Sequence, residues 1–169
     1  MSVNRVTSEA GKKLLNSIKQ LQDKNVKIGW FAGARYENGT PVAAVAVNNE
    51  YGNPQTHVPA RPFMRPTIAT KQNEWRLTAE NGAKKILKGE LTIDKVLDLI
   101  GFQIEGDIKK TIKQLYSPAL AEATVLARIA RNKRLSETKG RISEKNLGNI
   151  TKPLIDTGIM FNTITHEIS

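Results

Sequence analysis

The chain is 169 residues long and carries 26 Lys and Arg against 16 Asp and Glu, a formal net charge of +10. It contains no cysteine, which excludes a disulfide framework, a thiolate metal site and a cysteine nucleophile. Leu, Ile, Val and Phe make up about a quarter of the residues, above the ~20% below which chains tend to stay disordered.

The longest wholly apolar run, residues 42–47, is far short of the ~18 residues that span a membrane. The chain therefore reads as a soluble intracellular protein with no membrane partner, and at this length as one domain over residues 1–169. The basic excess is spread evenly, at +3, +4 and +3 over residues 1–60, 61–115 and 116–169. Its densest stretch is residues 128–152, with eight basic residues against Glu137 and Glu144.

Within an N-terminal segment of residues 1–24, positions 7–23 are predicted to form an amphipathic helix capped by Thr7 or Ser8. Ala10, Leu14, Ile18 and Leu21 share its apolar face. Residues 26–31 alternate loosely and read as a strand, and Asn38-Gly39 marks the turn after it. Residues 40–52 read as a short helix with Thr40 at the N-cap, Pro41 at the first helical position and Gly52 just past the end. Val42, Val45, Ala46 and Asn49 would then share one face.

Pro59, Pro62 and Pro66 remove three backbone donors and push the residues before them into extended geometry. Residues 58–66 are thus expected to form a stiff arm that carries Arg61, Phe63, Met64 and Arg65. Pro66 suits the first turn of a long helix to about Leu87, with Ile68, Trp75, Ala79 and Ile86 turned inward. Thr92 caps the next helix, whose stripe of Ile93, Leu97, Ile100, Ile104, Ile108, Ile112 and Leu115 is the clearest in the chain. Gly101 and Gly106 interrupt it at about 1 kcal/mol each against Ala, which points to close approach of another helix. Pro118 is expected to open a further helix through Leu120, Thr124 and Ala127.

Residues 132–152 lose all periodicity and read as a long basic loop. Asp156 is then expected to cap a short helical turn ahead of a terminal strand. The predicted fold is α+β, several helices packed on a small antiparallel sheet, with a Pro-rich extended arm and a long basic loop.

Few constellations point to catalysis or cofactors. Asp156-Thr157-Gly158 matches the aspartic-protease signature, but too little chain follows it to build that fold. Glu50 and Tyr51 near His57 lack an accompanying nucleophile or phosphate loop, and no carboxylate stands at metal-ligand spacing from His57 or His166. No catalytic residue, cofactor or metal site is predicted. The basic residues Arg128, Arg131, Lys133, Arg134, Lys139, Arg141 and Lys145 read either as a solvated loop and helix end or as a surface for phosphates or an acidic partner, without the aromatic residues that stack on bases.

Four blocks in order carry a family resemblance: residues 42–46 with Asn49-Glu50-Tyr51-Gly52; residues 58–67; Ile100-Gly101 with Ile108-Lys109; and residues 152–158 with Thr163-Ile164-Thr165. Together they resemble the neck and tail-completion proteins of tailed bacteriophages, the virion morphogenesis or minor tail protein Z type. The resemblance implies a non-enzymatic structural protein of the virion head–tail junction, assembled in the host bacterial cytoplasm. It implies a self-associating ring, a hexamer above other copy numbers, joined to other neck, tail-terminator or tail-tube proteins and in non-specific contact with genomic DNA. Pro59, Arg61, Pro62, Phe63, Met64, Arg65 and Pro66 would be the intersubunit or partner arm, with Phe63 as anchor and the two Arg pairing with carboxylates. The basic surface would face the lumen or a partner. A free-standing, non-sequence-specific nucleic-acid-binding protein is the alternative reading of the +10 charge.

Overall fold

The computed structural model describes residues 9–139 and 150–169. In chain order these form helix α1 (Glu9–Asp23), strand β1 (Val26–Gly29), helix α2 (Val42–Tyr51), a 3-10 turn (Pro54–Thr56), α3 (Met64–Leu87), α4 (Ile93–Gln114), α5 (Glu122–Lys139), the short α6 (Ile159–Asn162) and β2 (Thr165–Ile168). β1 and β2 pair antiparallel, Val26 opposite Ile168 and Gly29 opposite Thr165. The α+β class is as the sequence predicts. The capping residues Thr7 and Ser8 lie outside the described residues.

The striped helix α4 is the centre of the molecule. One side packs along α3, another carries the two-stranded sheet, and α1 touches both long helices. Thr92 caps α4 as expected, its hydroxyl accepting from the Lys95 N–H. Two buried clusters lie along it. Ile108 and Ile112 join Val42, Phe63, Leu154, Met160 and Ile164 in the larger. Ile93, Val96 and Ile100 meet Ile86 of α3 in the smaller.

Several expectations need correction. α2 begins one residue late, with Pro41 rather than Thr40 at its N-cap. α3 begins at Met64, so Pro66 lies inside its first turn and the extended arm ends at Phe63. Ile68 points outward. The helix expected from Pro118 starts at Glu122 and runs to Lys139, so residues 132–139 are helix and not loop. They are rich in Lys, Arg and Glu, good helix formers, and contain no Gly or Pro. The remainder of the predicted loop, residues 140–149, lies outside the described residues.

The two interior glycines of α4 differ. A Cβ on Gly101 would fall 2.4 Å from the ring of His166, so the close neighbour is strand β2, not a helix. Nothing lies within 4 Å of the corresponding position on Gly106. The close helix–helix approach belongs instead to Gly82 of α3, where a Cβ would meet Val96 at 2.3 Å. Gly101→Ala is therefore expected to lower stability by about 1–3 kcal/mol through overpacking. Gly106→Ala should raise that of the isolated chain by about 1 kcal/mol. Urea unfolding of the two variants side by side measures both.

Candidate functional site

Residues 42–52 and 58–67, the first two of the four blocks, meet at one carboxylate. Glu50 lies on the inward stripe of α2 with Val42 and Ala46, and is only 4% exposed. Its Oε2 accepts from the N–H groups of Phe63 (2.7 Å) and Met64 (2.9 Å), and its Oε1 from the N–H of Arg65 (3.0 Å). These are donors left over at the start of α3, where a negative charge also suits the helix dipole. Glu50 thus does from α2 what an N-cap side chain does locally. Arg65 completes the joint: its Nε donates to Glu50 Oε1 (3.0 Å), its Nη2 to the Glu50 carbonyl (2.9 Å), and its guanidinium lies 4.6 Å over the Tyr51 ring. Burial raises the Glu50 pKa, but the hydrogen bonds from Met64, Phe63 and Arg65 outweigh it and hold the carboxyl below its ordinary value.

Gly52 lets the chain turn back on itself. It has φ +76, and a Cβ there would fall 2.8 Å from the Ala60 nitrogen, so a glycine fits where other residues would collide. Asn53 then caps the 3-10 turn, accepting from the Gln55 and Thr56 N–H groups, and the Arg61 N–H donates to the Asn49 carbonyl at 2.6 Å. The Glu-Tyr-Gly and Pro-Ala-Arg-Pro-Phe-Met-Arg segments are therefore one unit, in which Glu50 fastens, Tyr51 supports Arg65 and Gly52 permits the return.

Most of the predicted arm is used inside the chain. Phe63 is fully buried, its ring edge-on to Trp30 at 5.7 Å, so it anchors the chain's own core and not a neighbour. Arg61 is buried, donating to the carbonyls of Pro118 (2.8 Å) and Ala119 (3.0 Å) rather than to a carboxylate. Arg65 pairs with Glu50, and Met64 is half-buried. Pro59, Pro62 and Pro66 remain exposed.

The basic surface divides in the same way. Arg128 is buried, and its guanidinium donates to the carbonyls of Ile150 (3.1 Å), Lys152 (2.8 Å), Ile155 (3.4 Å) and Pro153 (3.5 Å). It faces neither lumen nor partner. Arg131 grips Asp156 with both terminal nitrogens, and Arg128 Nε approaches the same carboxylate at 3.3 Å. Asp156 is therefore the ion-pair partner of α5 and not a helix cap; Gly158 occupies the N-cap of α6. Burial depresses the pKa of Arg128, and burial with the nearby Arg128 charge depresses that of Arg61. Lys133 and Arg134 are exposed. The Lys139 side chain, Arg141 and Lys145 lie outside the described residues.

Between these two fastenings lies an open cleft of about 740 Å³, lined by Tyr36, Asn49, His57, Arg61, Arg131 and Asp156 among others. Burial, followed by the Asp156 charge, raises the Tyr36 pKa.

His166 forms a second cluster that the sequence did not reveal. From β2 it reaches Glu105 through Nδ1 (2.5 Å) and Asp98 through Nε2 (3.3 Å), with Phe102 edge-on to its ring at 4.7 Å. Burial opposes its charge, but the bonds to Glu105 and Asp98 prevail and raise its pKa. The unfolded ring titrates near 6.5. The stability linked to this proton is therefore complete below that pH and is lost as pH rises through the higher folded value. The urea midpoint of the native chain is expected to fall over that window, and the fall to disappear in His166→Asn.

Among the described residues no group of His, Asp and Glu is arranged to hold a metal ion, and no helix is long and apolar enough to cross a membrane. No family model, curated protein or solved structure matches the chain.

Proposed function

We propose that the chain is a structural subunit of the tailed-phage head–tail junction and acts as one copy of a ring. The observation that carries this reading is the placement of large apolar side chains in water on several faces of one helical scaffold. Val47 and Tyr51 stand exposed on α2, Leu99 and Phe102 on α4, and Leu126 and Ile129 on α5. Separate uncovered patches on one subunit suit a neighbour on each side, the arrangement that closes into a ring when the rotation permits.

The motif geometry supports the same reading. The Glu50–Arg65 joint fixes the exposed prolines and Tyr51 as a rigid edge that loses little freedom on docking. In a ring of +10 subunits the positive field adds around a central channel, where it attracts DNA phosphates without reading sequence.

Light scattering and negative-stain imaging of the concentrated protein test the proposal. Rings of uniform diameter, six-fold in projection, are the expected result. A protein that stays monomeric and binds duplex DNA tightly with a steep salt slope overturns it in favour of a free-standing nucleic-acid binder.

A further inference from the structure

Arg61 is a charge without a counter-charge. It is only 5% exposed, and its Nε and Nη2 donate to the neutral carbonyls of Pro118 and Ala119. Nη1 has no partner among the described residues. No buried side-chain nitrogen or oxygen among those residues is left unpaired, so Nη1 is open, and Arg61 opens onto the cleft that it lines. A guanidinium withdrawn from water to this depth gains most from an anion that can reach it.

The surroundings make the same demand. Arg128 and Arg131 line the cleft with Arg61, and the carboxylate that serves them, Asp156, is already committed. Arg131 holds it with both terminal nitrogens, and Arg128 approaches it through Nε. The nearby Arg128 charge also repels that of Arg61. Glu37, the other carboxylate of the lining, is exposed and pairs with none of the three among the described residues. The Tyr36 hydroxyl, kept protonated by its raised pKa and without a partner among the described residues, offers a further donor. Val45, Val58 and Leu120, all half-buried, give the same walls an apolar part.

Shape decides which molecule carries the anion. The phosphates of duplex DNA run along a stiff, wide rod, which suits exposed cations better than a guanidinium set inside a cleft. A carboxylate on a peptide side chain is slender enough to enter, and a volume of about 740 Å³ leaves room for apolar neighbours beside it.

We infer that the cleft is a docking site for an acidic peptide segment of a partner protein. One carboxylate of the segment pairs with Arg61, and adjoining apolar side chains lie against Val45, Val58 and Leu120. The site is separate from the ring reading and stands whether or not copies of the chain assemble.

Fluorescence anisotropy on the full chain, with a short labelled peptide of alternating Asp and Leu, tests the site. The native chain is expected to bind this peptide at least about tenfold more tightly than its Asn–Leu counterpart, the scale of one charge-assisted hydrogen bond. Arg61→Gln should lose that preference. Because Arg61 also holds the Pro118 and Ala119 carbonyls, Thr124→Glu gives a second reading that does not disturb them. It sets a carboxylate in the cleft wall on the first turn of α5, where a negative charge suits the helix. It should weaken the peptide about tenfold with the urea midpoint kept. Gln72→Glu makes the same charge change at an exposed position of α3 outside the cleft and should bind as the native chain does. No binding by the native chain, or equal affinity for the two peptides, overturns the site. So does native affinity in Thr124→Glu or in a folded Arg61→Gln, or an equal loss in Gln72→Glu. Displacement of the peptide by duplex DNA whose own affinity is lost in Thr124→Glu overturns the peptide as occupant and assigns the cleft to phosphate.

Discussion

Glu50→Ala is expected to lower the unfolding free energy by about 3–5 kcal/mol, the range for removing one member of a buried charged arrangement. The change strips the start of α3 of its acceptor. The Phe63, Met64 and Arg65 N–H groups lose their partner together, and Arg65 loses its ion pair. Arg65→Ala should be much milder, below about 1 kcal/mol, because its side chain is more than half exposed and surface pairs contribute little. Glu50→Gln falls between them, since it keeps an acceptor oxygen but turns an amide N–H₂ toward backbone donors.

Urea unfolding at pH 7 ranks the three variants. Acid gives a second signature. The folded pKa of Glu50 is depressed, so its contribution is present above the unfolded value near 4.3 and is lost as pH falls through the folded one. The difference between the native chain and Glu50→Gln should shrink across that acid range. A difference that does not change with pH would refute the capping role.

Arg128→Ala should have an effect of similar size, about 3 kcal/mol or more, since a buried group left without a partner costs about 1–3 kcal/mol and several lose theirs at once. The carbonyls of Ile150, Lys152, Pro153 and Ile155 are held by this one side chain. Arg128→Lys should recover only part of the loss, because an ammonium on a flexible stem cannot fork across four acceptors as a planar guanidinium does. The expected change is local as well as global: α5 is released from residues 150–156 and becomes open to trypsin before the α3–α4 pair does. Limited proteolysis with mass mapping reads that order. Simultaneous loss of α3, α4 and α5 would mean that Arg128 supports the whole fold rather than the attachment of one helix.

These two fastenings also mark where sequence reasoning stops. Helices α3 and α4 are visible in the sequence because both bury one face, and burial writes a 3.6-residue period into the residue types. The partners of Glu50 and Arg128 are backbone groups, which look alike at every position. Glu50 did leave a trace, as an acidic residue one turn beyond Ala46 on the inward stripe of α2. A carboxylate on a buried face needs donors, and an uncapped helix start nearby supplies them. Pro66 does stand in the first turn, as expected, but the three prolines extend the expected arm over Met64 and Arg65, which are already helix, and so conceal that start. Residues 132–139 read as a loop for the opposite reason: their residue types are almost all polar, and polar composition without periodicity resembles a loop. The His166 cluster joins residues 61 and 68 positions apart, beyond the reach of any local pattern.

The small sheet governs the order in which this chain can fold. α3 and α4 are neighbours in sequence and close across a short turn, so their pairing is local and fast. β1 and β2 bring together segments from opposite sides of that helical pair, with Asn25 and Ser169 exchanging backbone hydrogen bonds at its margin. Closing so wide a loop forfeits chain entropy before its few bonds form. The sheet is therefore the last element to lock and, by the same balance, the first to fray. Hydrogen exchange should place the slowest amides in α3 and α4 and faster ones in β1 and β2, while the bonds from His166 to Glu105 and Asp98 hold the strand seam shut.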